Sequence, residues 1–268
     1  KSYNSKIKID GDKSLSIRWV LLASQANGIS TAYNLLMSED VMASINSIKK
    51  LGIKVKIYKN YCKIFGNGIN GFNYKKNLII DAKNSGTFGR LILGLLVKSP
   101  QKIKLIGDNS LSKRDFSRVT EPLKKFGVKF FHKTKNKLPL LILGSQSLKV
   151  INYLEDKGSA QCKSSVMLAA LNAPGTTLIK AKKSRNHTEL LFKYLKIPIK
   201  IKKTKKYDFI SIKQPKKIKG FNYQIPGDIS SCAFFIVLTT LANNSKLLIK
   251  NVNINPSRTG IITILKKM

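Results

Sequence analysis

The sequence predicts an α/β fold made of repeated βαβαββ units, and two recurrences carry that prediction. The segment at residues 48–55, IKKLGIKV, returns at 123–130 as LKKFGVKF and, more weakly, at 192–199 as FKYLKIPI. A second series falls between these copies: Gly11-Asp12-Lys13-Ser14, Asn84-Ser85-Gly86-Thr87, Gly158-Ser159-Ala160-Gln161 and Gly227-Asp228-Ile229-Ser230. Self-similarity at a steady interval marks a repeated structural unit. Helical periodicity alternating with strand periodicity marks an α/β chain.

Each copy of the first segment reads as the end of an amphipathic helix running into a strand. In the first copy Val41, Ile45, Ile48 and Leu51 keep helical spacing. Ser38 stands at the N-cap, with Glu39 and Asp40 in the first turn, where carboxylates complement the helix dipole. Gly52 supplies the stop, because glycine accepts the left-handed backbone that ends many helices. Ile53, Val55 and Ile57 then alternate as in a half-buried strand. Members of the second series each open a helix with an apolar run, at 19–26, 91–97, 166–171 and 233–241. The unit is strand, helix, strand, helix, then one or two strands. Three complete units span roughly residues 10–225 and a fourth begins near Gly227. The stretch 202–219 reads as the hairpin that closes the third unit.

At 268 residues and 43% hydrophobic, the chain can bury a sizeable core in one large domain or two smaller ones. It has no run of about 18 apolar residues, so no membrane-spanning helix is expected. Its first residues lack an export signal, so a cytoplasmic location is expected. Cys62, Cys162 and Cys232 are scattered without CxxC spacing, which fits reduced core thiols and predicts no metal site. A net charge of +37 suggests a nucleic-acid binder. Yet the 50 basic residues are almost all lysine, spread along the chain beside abundant Ile and Asn, as AT-rich coding produces. The aromatic residues mostly punctuate apolar runs, whereas a single-strand binder needs them exposed on a basic face. No nucleic-acid partner is therefore expected, although a basic surface attracts anionic substrates.

Four helix starts rich in Gly, Ser and Thr can present free backbone N–H groups to phosphate or carboxylate. Ordinary capping is the better reading of any one of them alone; recurrence at one phase of each unit favours a shared site. Arginine occurs only at 18, 90, 114, 118, 185 and 258, all in or beside helix starts. Planar guanidinium groups kept in so lysine-rich a chain suggest bidentate anion binding, against the alternative of surface salt bridges.

These segments resemble the 5-enolpyruvylshikimate-3-phosphate synthase family, especially its class II branch. Gly11 to Arg18 looks like the family's PGDKSxSxR opening, and Asn84-Ser85-Gly86-Thr87 with Arg90-Leu91 looks like NSGT…RL. Ser110 to Arg114 resembles SLxKRP; Ser159 to Ser164 with Leu171 to Gly175 resembles SAQVKS…LNAPG. Ser184 to Glu189 resembles SRDHTE, and Pro226 to Asp228 with Asn255 to Gly260 resembles PGD and NPTRTG. The matches follow the family's order along nearly the whole chain. Departures are Asp10 and Asp115 where proline is usual, Lys83 where glycine is common, and Ile17 in place of a polar residue. Asp115 beside Arg114 is expected to weaken that arginine's pull on its ligand.

The resemblance implies the enolpyruvyl transferase fold: residues 15–226 as one complete three-unit domain, with 1–14 and 227–268 belonging to a second. It implies transfer of the enolpyruvyl group of phosphoenolpyruvate to the 5-hydroxyl of shikimate 3-phosphate, without metal or organic cofactor. By motif position, Lys13, Ser14, Arg18, Ser159, Ala160, Gln161, Ser184 and Arg185 would bind shikimate 3-phosphate. Lys13, Gly86, Arg114 and Gln161 would bind phosphoenolpyruvate. The family's acid/base carboxylates would lie beyond residue 268, so the chain is expected to be a fragment, inactive alone and monomeric when complete. Gly86 stands where the glyphosate-tolerant branch often carries alanine, which implies sensitivity to that inhibitor. The nearest enzymatic rival, UDP-N-acetylglucosamine enolpyruvyl transferase, shares the fold, but its usual loop cysteine has no clear counterpart here. A basic nucleic-acid-binding protein is the rival from another class.

Overall fold

The computed structural model describes residues 2–268, and its elements follow the predicted alternation. β1 (Asn4–Lys8), α1 (Lys13–Ser24), β2 (Asn27–Tyr33), α2 (Glu39–Lys50), β3 (Lys54–Ile57) and β4 (Tyr61–Asn67) come first. β5 (Ile79–Asp81), α3 (Gly86–Leu95), β6 (Ile103–Ile106), a single-turn α4 (Asn109–Ser112), α5 (Ser117–Lys125), β7 (Lys129–His132) and β8 (Leu140–Leu143) follow. Next are β9 (Asn152–Glu155), α6 (Ala160–Ala170), β10 (Thr176–Lys182), α7 (His187–Tyr194), β11 (Ile199–Lys203) and β12 (Tyr207–Lys213). The chain closes with β13 (Asn222–Gln224), α8 (Ile229–Leu241), β14 (Lys246–Lys250) and α9 (Gly260–Leu265).

Three four-stranded sheets share one order. In β5-β6-β8-β7 and β9-β10-β12-β11 the first two strands are parallel and the last two add antiparallel. The remaining sheet is β13-β2-β4-β3, so β13 fills the place of an opening strand beside β2. β1 stands outside that sheet and runs parallel to β14, pairing Asn4 with Lys246 through Lys8 with Lys250. The predicted hairpin at 202–219 is the β11–β12 pair, which starts slightly earlier, at Ile199.

Helices α1, α3 and α6 form the interior. Residues 15–24 of α1 and 162–170 of α6 are buried on every side, and their charged members are paired within the core: Arg18 bonds Thr188 and Ser164, and Lys163 pairs with Glu189. Gly94 lets α3 approach α6: a β-carbon there would collide with the Ser165 carbonyl. The amphipathic α2, α5 and α7 turn one stripe inward; α2 buries Val41, Ile45 and Ile48. Ser38 does stand at the start of α2, but its hydroxyl makes no capping bond. Gly52 ends α2 with φ at 86°.

A second, smaller apolar cluster joins Ile9, Ile229 and Cys232, with Ile7, Ile236, Ile249, Val252 and Ile262 against it. Helix α8 is almost wholly apolar, yet Phe234 and Leu241 are each 79% exposed. All three cysteines are buried and free. Among the described residues no helix is long and apolar enough to cross a membrane.

The aromatic residues are more exposed than their place in apolar runs predicts. Phe131 and Phe209 lie on outward sheet faces with Lys102 and Lys180 above their rings, and Lys54 and Lys56 lie over Phe65. Lysine stems covering apolar surface while their ammonium groups stay wet explain how these faces carry so much charge.

Candidate active site

The second series of recurrent segments forms four capped helix starts. Asp12 accepts from Leu15 N at 2.9 Å, Ser85 from Phe88 N at 3.3 Å, Ser159 from Cys162 N at 3.3 Å and Asp228 from Ser230 N at 2.9 Å. Capping is thus real at each start. Each cap uses one orphan N–H; the Lys13 and Gly86 N–H groups are also taken, by Asp228 and by the Asn84 carbonyl.

The starts of α3 and α6 meet. Arg90, one turn into α3, donates to Gln161 Oε1 at 2.9 Å and to the Gly86 carbonyl at 3.3 Å. Gln161 Nε2 donates to Thr87 Oγ1 at 2.9 Å. The Arg90 guanidinium lies over the Phe116 ring, 5.1 Å from its centre. A β-carbon on Gly86 would stand 2.9 Å from Arg90 Nη1 and 3.0 Å from Arg114 Nη1, so both guanidinium groups crowd that glycine. Arg114 donates to Asn84 Oδ1 at 3.3 Å. Burial lowers the Arg90 pKa below its usual value, and nearby Arg114 and Arg118 push it the same way. Asp115 does not lean on Arg114 as the sequence suggests. Its carboxylate accepts from Ser117 N at 2.7 Å and Ser117 Oγ at 2.8 Å, and these bonds hold its pKa below the usual carboxylate range.

Gln161 also borders a cleft of about 1240 Å³ that gathers Ser159, Ala160, Ser184 and Arg185. Lys183, Lys203 and the segment 252–257 also line it, together with one carboxylate, Asp208. The Ser184 hydroxyl is buried there without a partner. Arg185 has its pKa lowered by burial and then by Arg258. Converging cations and an unpaired hydroxyl donor suit a phosphate.

Lys13, Ser14 and Arg18 lie on the first turns of α1 and do not line this cleft. The Lys13 ammonium pairs with Asp40 at 2.9 Å, and its backbone N–H donates to Asp228 at 3.3 Å. Arg18 is buried: Nε donates to Thr188 Oγ1 at 2.8 Å, Nη2 to Ser164 Oγ at 3.1 Å and Nη1 to the Ser14 carbonyl at 3.0 Å. Burial pulls its pKa down to about 10 while Glu189 pulls back, so it remains a cation at neutral pH. Arg258 pairs with Asp228 at 3.1 Å, the salt-bridge alternative in its case. His187 is buried beside these groups; burial and then Arg18, Arg258 and Arg185 hold its pKa at about 3.

The structure therefore places these residues in three groups: Gly86 with Arg114; the cleft residues Ser159, Ala160, Gln161, Ser184 and Arg185, joined to the first through Arg90; and Lys13, Ser14 and Arg18 on α1, of which Arg18 reaches Ser164 and Thr188. Sequence reasoning did not assign Arg90 or Thr87, which hold Gln161 from both sides. The retention of Arg90 one turn after Gly86 in a lysine-rich chain was the available signal. Asn253, whose amide donates to Asp12 Oδ2 at 3.0 Å and lies 3.4 Å from His187 Nε2, gave no signal. Among the described residues no cluster of His, Cys, Asp or Glu could hold a metal.

The family model for EPSP synthase (3-phosphoshikimate 1-carboxyvinyltransferase) matches residues 1–268. A curated 3-phosphoshikimate 1-carboxyvinyltransferase of Thermoanaerobacter sp. (strain X514) is 41% identical over 263 residues, covering 98% of this chain and 60% of the relative. The Bacillus subtilis (strain 168) protein of the same name is 38% identical over 269 residues, covering 100% of this chain and 62% of the relative. A solved EPSP synthase from Acinetobacter baumannii superposes with a TM-score of 0.91 at 33% identity, over 100% of this chain and 60% of that one. The chain thus spans about three-fifths of the length of the relatives it matches. With the family model matched from end to end and the fold shared at that level, the chain belongs to the EPSP synthase family.

Proposed function

We propose that this chain takes part in transferring the enolpyruvyl group of phosphoenolpyruvate to the 5-hydroxyl of shikimate 3-phosphate, with release of phosphate. The observation that carries the reading is the Gln161 junction, where the cation pair around Gly86 meets the serine-lined cleft. Shikimate 3-phosphate is assigned to Ser159, Ala160, Ser184 and Arg185, with Lys13, Ser14 and Arg18 behind. Phosphoenolpyruvate is assigned to Gly86, Arg114, Gln161 and Lys13. Fixed cations and amide dipoles aimed at shifting negative charge stabilise a transition state without reorganising, and two held substrates react as one.

Two separate apolar cores support a division into one body over residues 15–226 and a second that takes 1–14 and 227–268. We take the enzyme to be a cytoplasmic monomer; light scattering of the purified protein tests the oligomeric part. The substrate assignment is tested by calorimetric titration of shikimate 3-phosphate into the 268-residue chain and its Lys13→Met variant. Saturable binding weakened in the variant is expected. No binding to the folded chain would overturn the assignment.

A further inference from the structure

We infer that Glu155 is a positioning residue for the loop that carries Ser159, Ala160 and Gln161; the inference rests on the substrate reading above. Glu155 ends β9 and is only 3% exposed. One carboxylate oxygen accepts from Ser159 N at 2.9 Å and the other from Lys157 N at 3.2 Å. Oε1, the oxygen that accepts from Lys157, also lies 3.8 Å from Arg118 Nη2 on α5, whereas Oε2 takes the Ser159 N–H.

A buried carboxylate is costly unless hydrogen bonds and a nearby cation compensate it. Here the compensation comes mainly from the main chain of one short loop. That loop makes the turn from β9 into α6, with Gly158 at φ 70°. By taking the Ser159 N–H, Glu155 fixes the residue whose hydroxyl caps α6. The next two residues, Ala160 and Gln161, line the cleft, and their N–H groups lie in the first turn of α6, where no carbonyl of the helix can take them. Arg118 meanwhile ties the same carboxylate to the helix that follows Arg114. Glu155 thereby links the two anion-binding groups from behind, without lining the cleft itself.

The test uses Glu155→Ala and Glu155→Gln in the 268-residue chain, with thermal melting to establish folding. Shikimate 3-phosphate affinity in Glu155→Ala should fall about tenfold, the loss expected when charge-assisted bonds no longer hold a binding loop. Glu155→Gln keeps one acceptor and should recover part of it. Amide hydrogen exchange supplies a readout that needs no ligand. In Glu155→Gln, exchange at Lys157 or Ser159 should quicken relative to the rest of α6. Wild-type affinity in folded Glu155→Ala, or tighter binding in Glu155→Gln than in wild type, would overturn the inference, since the carboxylate would then be neutral or merely repulsive. Should Glu155→Ala not fold, unchanged exchange at both amides in Glu155→Gln would overturn it equally. Should the wild-type chain bind no shikimate 3-phosphate, the substrate reading fails and the exchange result alone decides the role of Glu155.

Discussion

Arg90 donates to Gln161 Oε1 at 2.9 Å, and with the Gln161–Thr87 bond it joins the start of α3 to the start of α6. Arginine only donates, so it fixes which end of the amide faces it; Thr87 takes the other end. Lysine could supply charge here but not a planar fork that reaches Gln161, the Gly86 carbonyl and the Phe116 face together. Arg90→Lys is therefore expected to weaken phosphoenolpyruvate binding by about tenfold, or about 1.4 kcal/mol. Titration of phosphoenolpyruvate with shikimate 3-phosphate present measures it. Unchanged affinity would remove Arg90 from the site.

Gly86→Ala should be tolerated by the fold, because the atoms its β-carbon meets are mobile guanidinium tips and not backbone. A stability change under about 1 kcal/mol is expected by urea denaturation. The displaced groups are those of Arg90 and Arg114, so anion affinity should suffer more than stability. Glycine leaves room beside them for a longer ligand. Glyphosate is thus expected to bind the wild-type protein more tightly than the Gly86→Ala variant, and equal binding constants would refute that.

Lys163 and Glu189 form a wholly buried ion pair at 2.6 Å between α6 and α7. Removing one partner leaves the other charge without compensation in the core, at a cost of about 3–5 kcal/mol. Lys163→Met alone should lose that much in urea unfolding. Lys163→Met with Glu189→Leu should regain most of it. If the single variant were as stable as wild type, the pair would not be buried as a pair.

The helix starts were legible because capped turns draw on Gly, Asp, Ser and Thr at set positions and recur once per unit. Ser159, Ala160, Gln161, Ser184 and Arg185 accordingly share one cleft. Arg90 escaped assignment because its role depends on a partner 71 residues away, which spacing cannot reveal. The pairing of β1 with β14 and of β13 with β2 was hidden from the alternation alone, although the family resemblance sets residues 1–14 with 227–268. Both strands satisfy the same alternation, and only long-range pairing decides which sheet each joins. Exposed Phe131 and Phe209 misled for a related reason: a two-faced strand reads as apolar when lysine stems shield its outer face.

His187 is held at a pKa of about 3, far below its ordinary value of 6.5, chiefly by burial and then by three arginines. The folded chain therefore binds fewer protons than the unfolded chain between those two values. Its contribution to stability is complete above pH 6.5 and declines as the pH falls, by up to about 1.4 kcal/mol per pH unit, levelling off near pH 3. His187→Gln removes the titration. Urea unfolding at pH 7, 6 and 5 should show the wild-type advantage shrinking relative to this variant. A constant difference across those pH values would mean that His187 is accessible to protons in the folded state.

The third recurrent segment is the weakest in sequence, and the structure locates the weakness at one residue. Helices α2 and α5 are followed by Gly52 and Gly127 at φ 86° and 101°, whereas α7 is followed by Lys196 at φ 54°. The hydrogen bonds are the same in kind. Gly52 N reaches the Lys49 carbonyl at 3.0 Å and Ile53 N the Ile48 carbonyl at 3.0 Å; Lys196 N reaches Lys193 at 3.0 Å and Ile197 N reaches Phe192 at 2.9 Å. A side chain in this left-handed conformation sets its β-carbon against the neighbouring carbonyl, a clash that glycine avoids. Lys196→Gly should therefore stabilise the chain by about 0.5–1 kcal/mol, after allowing for the extra freedom glycine gives the unfolded state. Gly52→Lys should cost more, because its β-carbon would also strike the Asn73 carbonyl. Urea unfolding of the two variants gives opposite signs if the left-handed turn governs these helix ends, and a loss of stability in Lys196→Gly would show that the lysine side chain contributes more there than its backbone conformation costs.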